Sequence, residues 1–339
     1  MQRIVFAREQ PANGEPVEVA PGLLWLRLPL PFALDHVNVW LIEDPDGWTV
    51  VDTGYGDAAC RTIWEAVLAG PLAGRPVRRL LVTHFHPDHS GLAGWLAERT
   101  GAELLMARTE WLTARWLALD ATDGMLDAAD LYYVRADLPA DLRARLRARG
   151  NAYRRGVTPV PATFGRIRHG DRLRLGGSDW QVIVGRGHAP EQLTFWSGER
   201  GLLVAADQLL PRITPVIGAW FSEPDADPLG EFDQSLGGYA GLPDDILVLP
   251  SHDRPYRGLH ERIAQLLEHH RQRLDQTLGL CAAPATTAAV MQGLFPRALD
   301  LHQTGFALAE TRAHLNRLLA EGRVERELDA RGADRWRRR

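Results

Sequence analysis

The sequence predicts an α/β protein: two mixed sheets with helices outside them, a helical insertion and a C-terminal winged-helix segment. Three observations carry this. Short apolar runs bounded by turn residues come first in pairs, then alternate with helical stretches, then pair again. Residues 108–157 break that rhythm with helical periodicity. After about residue 256 the strand pattern stops, and three helical stretches lead to one hairpin. At ~150 residues per domain the 339 residues suggest two, read as 1–255 and 256–339.

Taken in order, Leu23–Leu28 alternates as a half-buried strand does. Val37–Ile42 and Thr49–Val51 flank the turn Asp44-Pro45-Asp46-Gly47 and form a hairpin. Leu80–Thr83 and Leu104–Ala107 are short apolar runs that alternate with helices at Ala58–Leu68 and Ser90–Arg99. Arg172–Leu175 pairs with Trp180–Val184, and Leu193–Trp196 with Leu202–Ala205, each across a Gly-containing turn. Ile246–Leu249 is the last strand. Fifty residues is too long for a plain connection, so 108–157 reads as an inserted helical element. Leu259–Leu278, Ala285–Leu294 and Leu308–Ala320 follow as helices, then Val324–Leu328 and Arg335–Arg338 as a two-stranded wing.

Composition narrows the function. The chain is 45% hydrophobic and 24% charged, with net charge −4, an ordinary globular balance that argues against a dedicated polyanion binder. All 39 basic residues are arginine, which excludes a lysine nucleophile, a Schiff base or a P-loop lysine. Cys60 and Cys281 stand far apart without a CxxC partner, so neither a disulfide framework nor a thiolate zinc site is expected. The N-terminal stretch has no apolar core of a secretory signal, and no apolar run approaches ~18 residues. A cytoplasmic location and no membrane association are expected.

The chemistry concentrates in Thr83-His84-Phe85-His86-Pro87-Asp88-His89-Ser90-Gly91. An apolar strand runs into three histidines and one aspartate within six residues. The side-chain period of two puts His84 and His86 on one side of the strand end, with Asp88 and His89 on the turn before a helix. Imidazole and carboxylate suit Zn, Fe or Mn. Four such groups exceed what one ion accepts from so short a loop, so the spacing favours two adjacent metals.

His84-x-His86-x-Asp88-His89 resembles the signature of the metallo-β-lactamase superfamily, with a glyoxalase II-like catalytic domain. The later blocks resemble the family's in order: Gly187-His188 after one strand, Asp207 after the next, and Pro250-Ser251-His252-Asp253 after the last, with Asp52 in Val51-Asp52-Thr53-Gly54 before them. Over about residues 20–255 the resemblance implies a four-layer αββα sandwich. It implies one metal on His84, His86, His188 and Asp207, and a second on Asp88, His89, Asp207 and His252. Asp52 is implied to support a ligand or water from behind. Two divalent ions are expected, zinc first, with iron or manganese as alternatives. Held ~3.5–4 Å apart, they bring the pKa of a water between them towards ~7, and Asp88 is the expected acceptor of its proton.

His36 precedes a strand that enters the site region in this superfamily; it is a candidate cleft residue, with a solvated or hydrogen-bonded structural role the favoured reading. The insertion falls where a lid over the metals can sit; some of its Trp111, Trp116, Tyr132, Tyr133 and Tyr153 are expected to wall a substrate pocket, and for any one of them the insertion's own core is an equal alternative. Arg212, five residues after Asp207, is a candidate partner for a substrate carboxylate or phosphate. Residues 309–324 resemble the winged-helix tail of one branch of the superfamily, which includes an endoribonuclease of animal mitochondria. From 256 to 339 there are 14 Arg against 10 acidic residues, but the candidate recognition helix holds only Arg312 and Arg317, opposed by Glu310. Nucleic-acid binders neutralise several phosphates at once, so packing or homodimerisation is the expected role. The expected function is a metal-dependent hydrolase of a small ester-like substrate, a thioester of glutathione or coenzyme A first and a lactone next. The alternative is an endoribonuclease or phosphodiesterase that holds RNA on the winged helix.

Overall fold

Period-two alternation assigns the two faces of the first sheet. In the strand Leu23–Pro29, Leu23 and Trp25 join one core while Leu26 and Leu28 join another. In His36–Asp44, Trp40 and Ile42 join the first core, and Val37, Val39 and Leu41 the second. The computed structural model describes residues 4–339; the first three residues of the N-terminal stretch lie outside the described residues. The first sheet has seven strands in the spatial order Val17–Ala20, Leu23–Pro29, His36–Asp44, Gly47–Val51, Val77–Leu81, Glu103–Met106 and Gly165–Arg166. Its first three pairings are antiparallel and its last three parallel. The second sheet runs Val5–Phe6, Tyr256–Arg257, Leu247–Pro250, Leu202–Ala206, Gln192–Ser197, Ser178–Gly185 and Arg172–Leu175, with one parallel pairing between Leu202–Ala206 and Leu247–Pro250.

The sheets share the core made by Leu23, Trp25, Trp40 and Ile42 from the first and Trp180, Val182, Phe195, Val204 and Leu249 from the second. Trp25 and Trp40 stack there with ring centroids 5.9 Å apart. The outer face of the first sheet buries Cys60, Trp64 and Val67 of the helix Ala58–Ala69 and Leu96 of the helix Ala93–Thr100. The mixed sheets and flanking helices are the α/β class the sequence predicts. Four strands escaped it: Val5–Phe6, Val17–Ala20, Gly165–Arg166 and Tyr256–Arg257, all short and near sheet edges. A helix expected from Ser90 begins at Ala93, because Pro87–Ser90 forms a separate short turn of helix carrying Asp88 and His89.

Contacts divide the chain differently from a single cut after residue 255. One compact unit comprises 1–119, 152–215 and 238–262; the other comprises 120–151, 216–237 and 263–339. Most of the expected insertion is thus structural material of the second unit. There the helices Asp123–Arg135 and Ala140–Arg149 contribute Tyr132 and Leu146, and the turn between them Ala136 and Leu138, to a core with Ala288, Met291, Ala307 and Leu308. The Ala288 amide donates to the Ala136 carbonyl (2.9 Å), and Arg135 pairs with buried Asp334. A three-stranded antiparallel sheet orders Ala285–Thr286, Asp334–Arg338 and Val324–Leu328, so the expected hairpin gains a third strand from the start of the Ala285 segment. The helix expected at Leu308 starts at Leu301, where Asp300 and Gln303 form a reciprocal capping box. Among the described residues no helix is long and apolar enough to cross a membrane.

Candidate metal centre

Of the seven residues singled out as ligands, all within the first unit, five lie in loops that follow strands, and Asp88 and His89 lie on the short helical turn Pro87–Ser90. His84 and His86 follow Val77–Leu81, His188 follows Ser178–Gly185, Asp207 follows Leu202–Ala206, and His252 follows Leu247–Pro250. The structure brings them together. His84 Nε2, His86 Nδ1 and His188 Nε2 form a triangle with sides of 3.0, 3.0 and 3.2 Å. Asp207 faces both ways: Oδ2 is 3.3 Å from His188 Nε2, while Oδ1 is 3.5 Å from His89 Nε2 and 3.4 Å from His252 Nε2. Asp88 Oδ2 lies 3.5 Å from both His89 Nε2 and His252 Nε2.

This donor set fits two divalent ions. Three ring nitrogens cannot all hydrogen-bond one another, since each N–H points outward in its own ring plane. Ligand atoms of a tetrahedral ion with bonds of ~2.0–2.1 Å stand ~3.4 Å apart, near the separations seen here. His89 Nε2 and Asp207 Oδ1 are buried without a hydrogen bond, which a fold tolerates when a cation takes their place. Three groups could hold a metal ion: His84, His86 and His188; His84, His89 and Asp207; and Asp88, His89 and His252, with Asp207 also beside His188 and His252.

The far sides of His84, His89 and His252 are held. His89 Nδ1 donates to Asp52 Oδ2 (2.8 Å), and His252 Nδ1 donates to the His36 carbonyl (2.8 Å), leaving Nε2 of both for the centre. Asp52 also accepts from the Thr83 amide (2.8 Å) and hydroxyl (2.9 Å), and Thr83 Oγ1 lies 3.0 Å from His84 Nδ1. Asp52 holds this position with a left-handed backbone, φ +65°. Gly91 closes the loop: a Cβ there would lie 2.5 Å from the Gly54 carbonyl oxygen and 2.6 Å from the Gly56 nitrogen.

Charge is distributed accordingly. Burial, with His89 and His86 beside it, lowers His84 well below the ordinary imidazole range, and burial beside His188 brings His86 down to about 3. Burial also opposes a charge on His89 and His252, but the carboxylates around them overrule it and raise both. Those imidazoles in turn overcome the burial of the carboxyls, lowering Asp207 far down and Asp88 to about 2.

Of the candidate substrate residues, His36 and Arg212 belong to the first unit and Tyr132 and Tyr133 to the second. His36 is buried, with Nδ1 2.6 Å from Asp35 and Nε2 accepting from the Asp253 amide (2.9 Å). It serves His252 through its backbone carbonyl. Tyr132 is buried in the second unit's core, its hydroxyl donating to the Ala219 carbonyl (2.8 Å). Tyr133 packs against that same core, edge-on to Tyr132. Arg212 is 58% exposed, pairs with Asp253 at 3.1 Å and covers the Phe6 ring. Of the remaining aromatics singled out, Trp111 stacks on Phe164, whereas Tyr153 touches the ligand loop by donating to the Phe85 carbonyl (2.6 Å).

The model of the metallo-beta-lactamase superfamily matches residues 33–252, and that of the metallo-beta-lactamase-like C-terminal domain matches 274–339. The chain belongs to the metallo-β-lactamase superfamily. A solved β-lactamase domain protein from Burkholderia ambifaria is 40% identical, covers 99% of this chain and 98% of its own, and superposes with TM-score 0.91. A probable metallo-hydrolase, YqjP, of Bacillus subtilis is 24% identical over 87% of this chain and 92% of its own length. A hydroxyacylglutathione hydrolase of Albidiferax ferrireducens is 29% identical over 112 residues, 33% of this chain and 40% of its own. Superfamily membership and the donor set together support a metal-dependent hydrolase.

Two polar residues of this superfamily member escaped the sequence reading. Asn38 accepts from Trp25 Nε1 (2.8 Å) and donates to the carbonyls of Pro250 and Asp253 (2.8 Å each), clasping the His252 loop. Its signal was an amide inside the apolar strand Val37-Asn38-Val39, a place that demands partners. Glu110 is fully buried, and burial raises its carboxyl to about 7. A glutamate in a helical stretch of mixed polarity carries no such signal.

Proposed function

We propose that this chain is a dinuclear metal-dependent hydrolase of a small ester-like substrate, with a thioester of glutathione or coenzyme A preferred and a lactone next. One observation carries the dinuclear reading: Asp207 turns one carboxylate oxygen to each ligand set. Two divalent ions held there, zinc first, supply the Lewis acidity that makes water a nucleophile near neutral pH and polarises the acyl group. The protein's own share is positional. Asp52 and the His36 carbonyl fix which nitrogen of His89 and His252 faces the centre. Asp88 has a side chain 21% exposed, against 8% for Asp207, so it is the carboxylate within reach of an entering molecule. We assign it the proton of the attacking water. Arg212, ion-paired to the residue after His252, is assigned to a substrate carboxylate.

The thioester preference draws on the partial relative whose name specifies an acylglutathione. The RNA alternative has less behind it. On the helix Leu301–Ala320, Arg312 already pairs with Asp225 and Asp334, and Arg317 with Asp227 and Glu321. Such cations have little left for phosphates. The test is thiol release from a panel of acyl-glutathione and acyl-CoA thioesters by the zinc-loaded chain, with Asp88→Asn beside it. Release by the wild type and not by the variant supports the reading. No release from a chain that holds two ions overturns the thioester choice and moves the panel to lactones and single-stranded RNA.

A further inference from the structure

His84 and His86 come from one loop and His188 from another, about a hundred residues later in the chain. Glu110, on the helix Arg108–Leu119, hydrogen-bonds to both loops. Its Oε2 accepts from the Phe85 amide (2.9 Å), the peptide between the two histidines. Its Oε1 accepts from the Glu191 amide (2.6 Å), three residues after His188. Glu191 answers by accepting from the Thr109 amide through Oε2 (2.9 Å), so the helix start and the His188 loop are tied in both directions. The other side of the Phe85 peptide is closed as well, its carbonyl accepting from the Tyr153 hydroxyl (2.6 Å) and Ser90 Oγ (2.7 Å). A carboxylate sunk this deep is costly unless its oxygens are used, and here each meets a backbone N–H.

We infer that Glu110 is a positioning residue that sets the spacing of the three-histidine site by clamping the Phe85 and Glu191 amides with one carboxylate. This rests on the metal-centre reading above but not on any choice of substrate. A side chain that only filled space would affect folding alone. One that spaces His84 and His86 against His188 governs how tightly that site holds an ion, and leaves the Asp88, His89 and His252 set largely unaffected.

The experiment is cobalt(II) and zinc titration of the full chain, wild type and Glu110→Gln, by visible absorption and chelator competition. His86→Ala and His252→Ala, each lacking one ligand of one set, assign the two binding steps. Glutamine keeps the shape but turns an NH2 group against one of the two amides. The expected result is a loss of roughly 10–100-fold in affinity at the three-histidine site, the usual effect of removing such a support, and little change at the other. Val67→Ala, a core change on the helix Ala58–Ala69, serves as the destabilised control and leaves both affinities as in wild type. Equal weakening at both sites, or none with a lowered Tm, overturns the proposal. Should Glu110→Gln not fold, amide exchange of the wild type decides. Peptides spanning Phe85 and Glu191 that are already protected in the metal-free chain support the clamp; protection gained only on loading overturns it. A wild type that takes up no ion overturns the metal-centre reading and this one with it, whereas two ions held without thioester turnover leave it standing.

Discussion

Exchanging Asp52 for asparagine changes almost nothing in shape and much in proton placement. Asn tolerates the left-handed φ of +65° about as well as Asp does, so the backbone stays. The carboxylate now accepts three hydrogen bonds, from the Thr83 amide, the Thr83 hydroxyl and His89 Nδ1. In Asp52→Asn the amide oxygen still serves the Thr83 nitrogen, but an NH2 group faces the other two. His89 must then accept at Nδ1 and carry its proton on Nε2, the atom turned towards Asp88 and Asp207. Thr83 Oγ1 must accept from the amide and redirect its proton to His84 Nδ1, 3.0 Å away, which pushes the His84 proton onto Nε2 as well. Two ligand nitrogens, one in each set, are blocked by a single substitution. Each inverted contact removes a charge-assisted bond of about 1.5–3 kcal/mol. A support of this kind is worth roughly 10–100-fold in metal affinity, or ~1.4–2.8 kcal/mol per site. The assay is zinc competition against a chromogenic chelator for wild type and variant, with thermal melts of both metal-free chains. The expectation is weaker binding at both sites with the fold kept. An Asp52→Asn chain that binds both ions as tightly as wild type refutes the reasoning.

Three further outcomes are expected. Asp88→Asn lowers turnover of the best substrate by about 10²–10⁴-fold, the usual worth of a proton acceptor, with an unchanged circular dichroism spectrum; near-normal turnover removes its assigned role. Glu110 has a folded-state pKa raised to about 7 from an ordinary 4.5, so between those values the folded chain binds more protons than the unfolded one. Stability therefore falls as pH rises through that window, by up to ~3 kcal/mol, and Glu110→Gln lacks this component. Denaturant melts of both chains on either side of the window check it, and equal pH responses contradict it. Tyr132→Phe loses one buried hydrogen bond, to the Ala219 carbonyl. It should cost about 1 kcal/mol of stability with KM unchanged, and a shifted KM returns Tyr132 to the substrate.

The candidate ligands were legible because each stands shortly after a strand run that periodicity marks, and because imidazoles and carboxylates there have few other uses. The sandwich was legible for the same reason: Leu23, Trp25, Trp40 and Ile42 alternate with residues that face the helices. Alternation names a buried face but not the body that buries it. Tyr132, Tyr133 and Leu146 show helical spacing equally suited to a lid and to a core, and only their packing with Ala288, Met291 and Leu308 decides. The second unit is assembled from three stretches of chain, 120–151, 216–237 and 263–339, a grouping that no local pattern encodes.

The supports of the centre were the least legible part, and electrostatics explains why they must exist. Three imidazole nitrogens within 3.2 Å and two carboxylates around shared histidines are a poor arrangement for a chain free to relax. The fold has to impose it, and it does so one loop at a time. Asp52 holds Thr83 and His89, Asn38 holds the carbonyls on either side of His252, and Glu110 holds the amides beside His86 and His188. Each is a buried polar side chain that spends its hydrogen bonds on a neighbouring segment. In sequence it is one Asp, Asn or Glu among many; its meaning appears only when the partner loop, tens to hundreds of residues away, is in place. The seven candidate ligands state what the site could bind, whereas these three residues hold the loops that carry them.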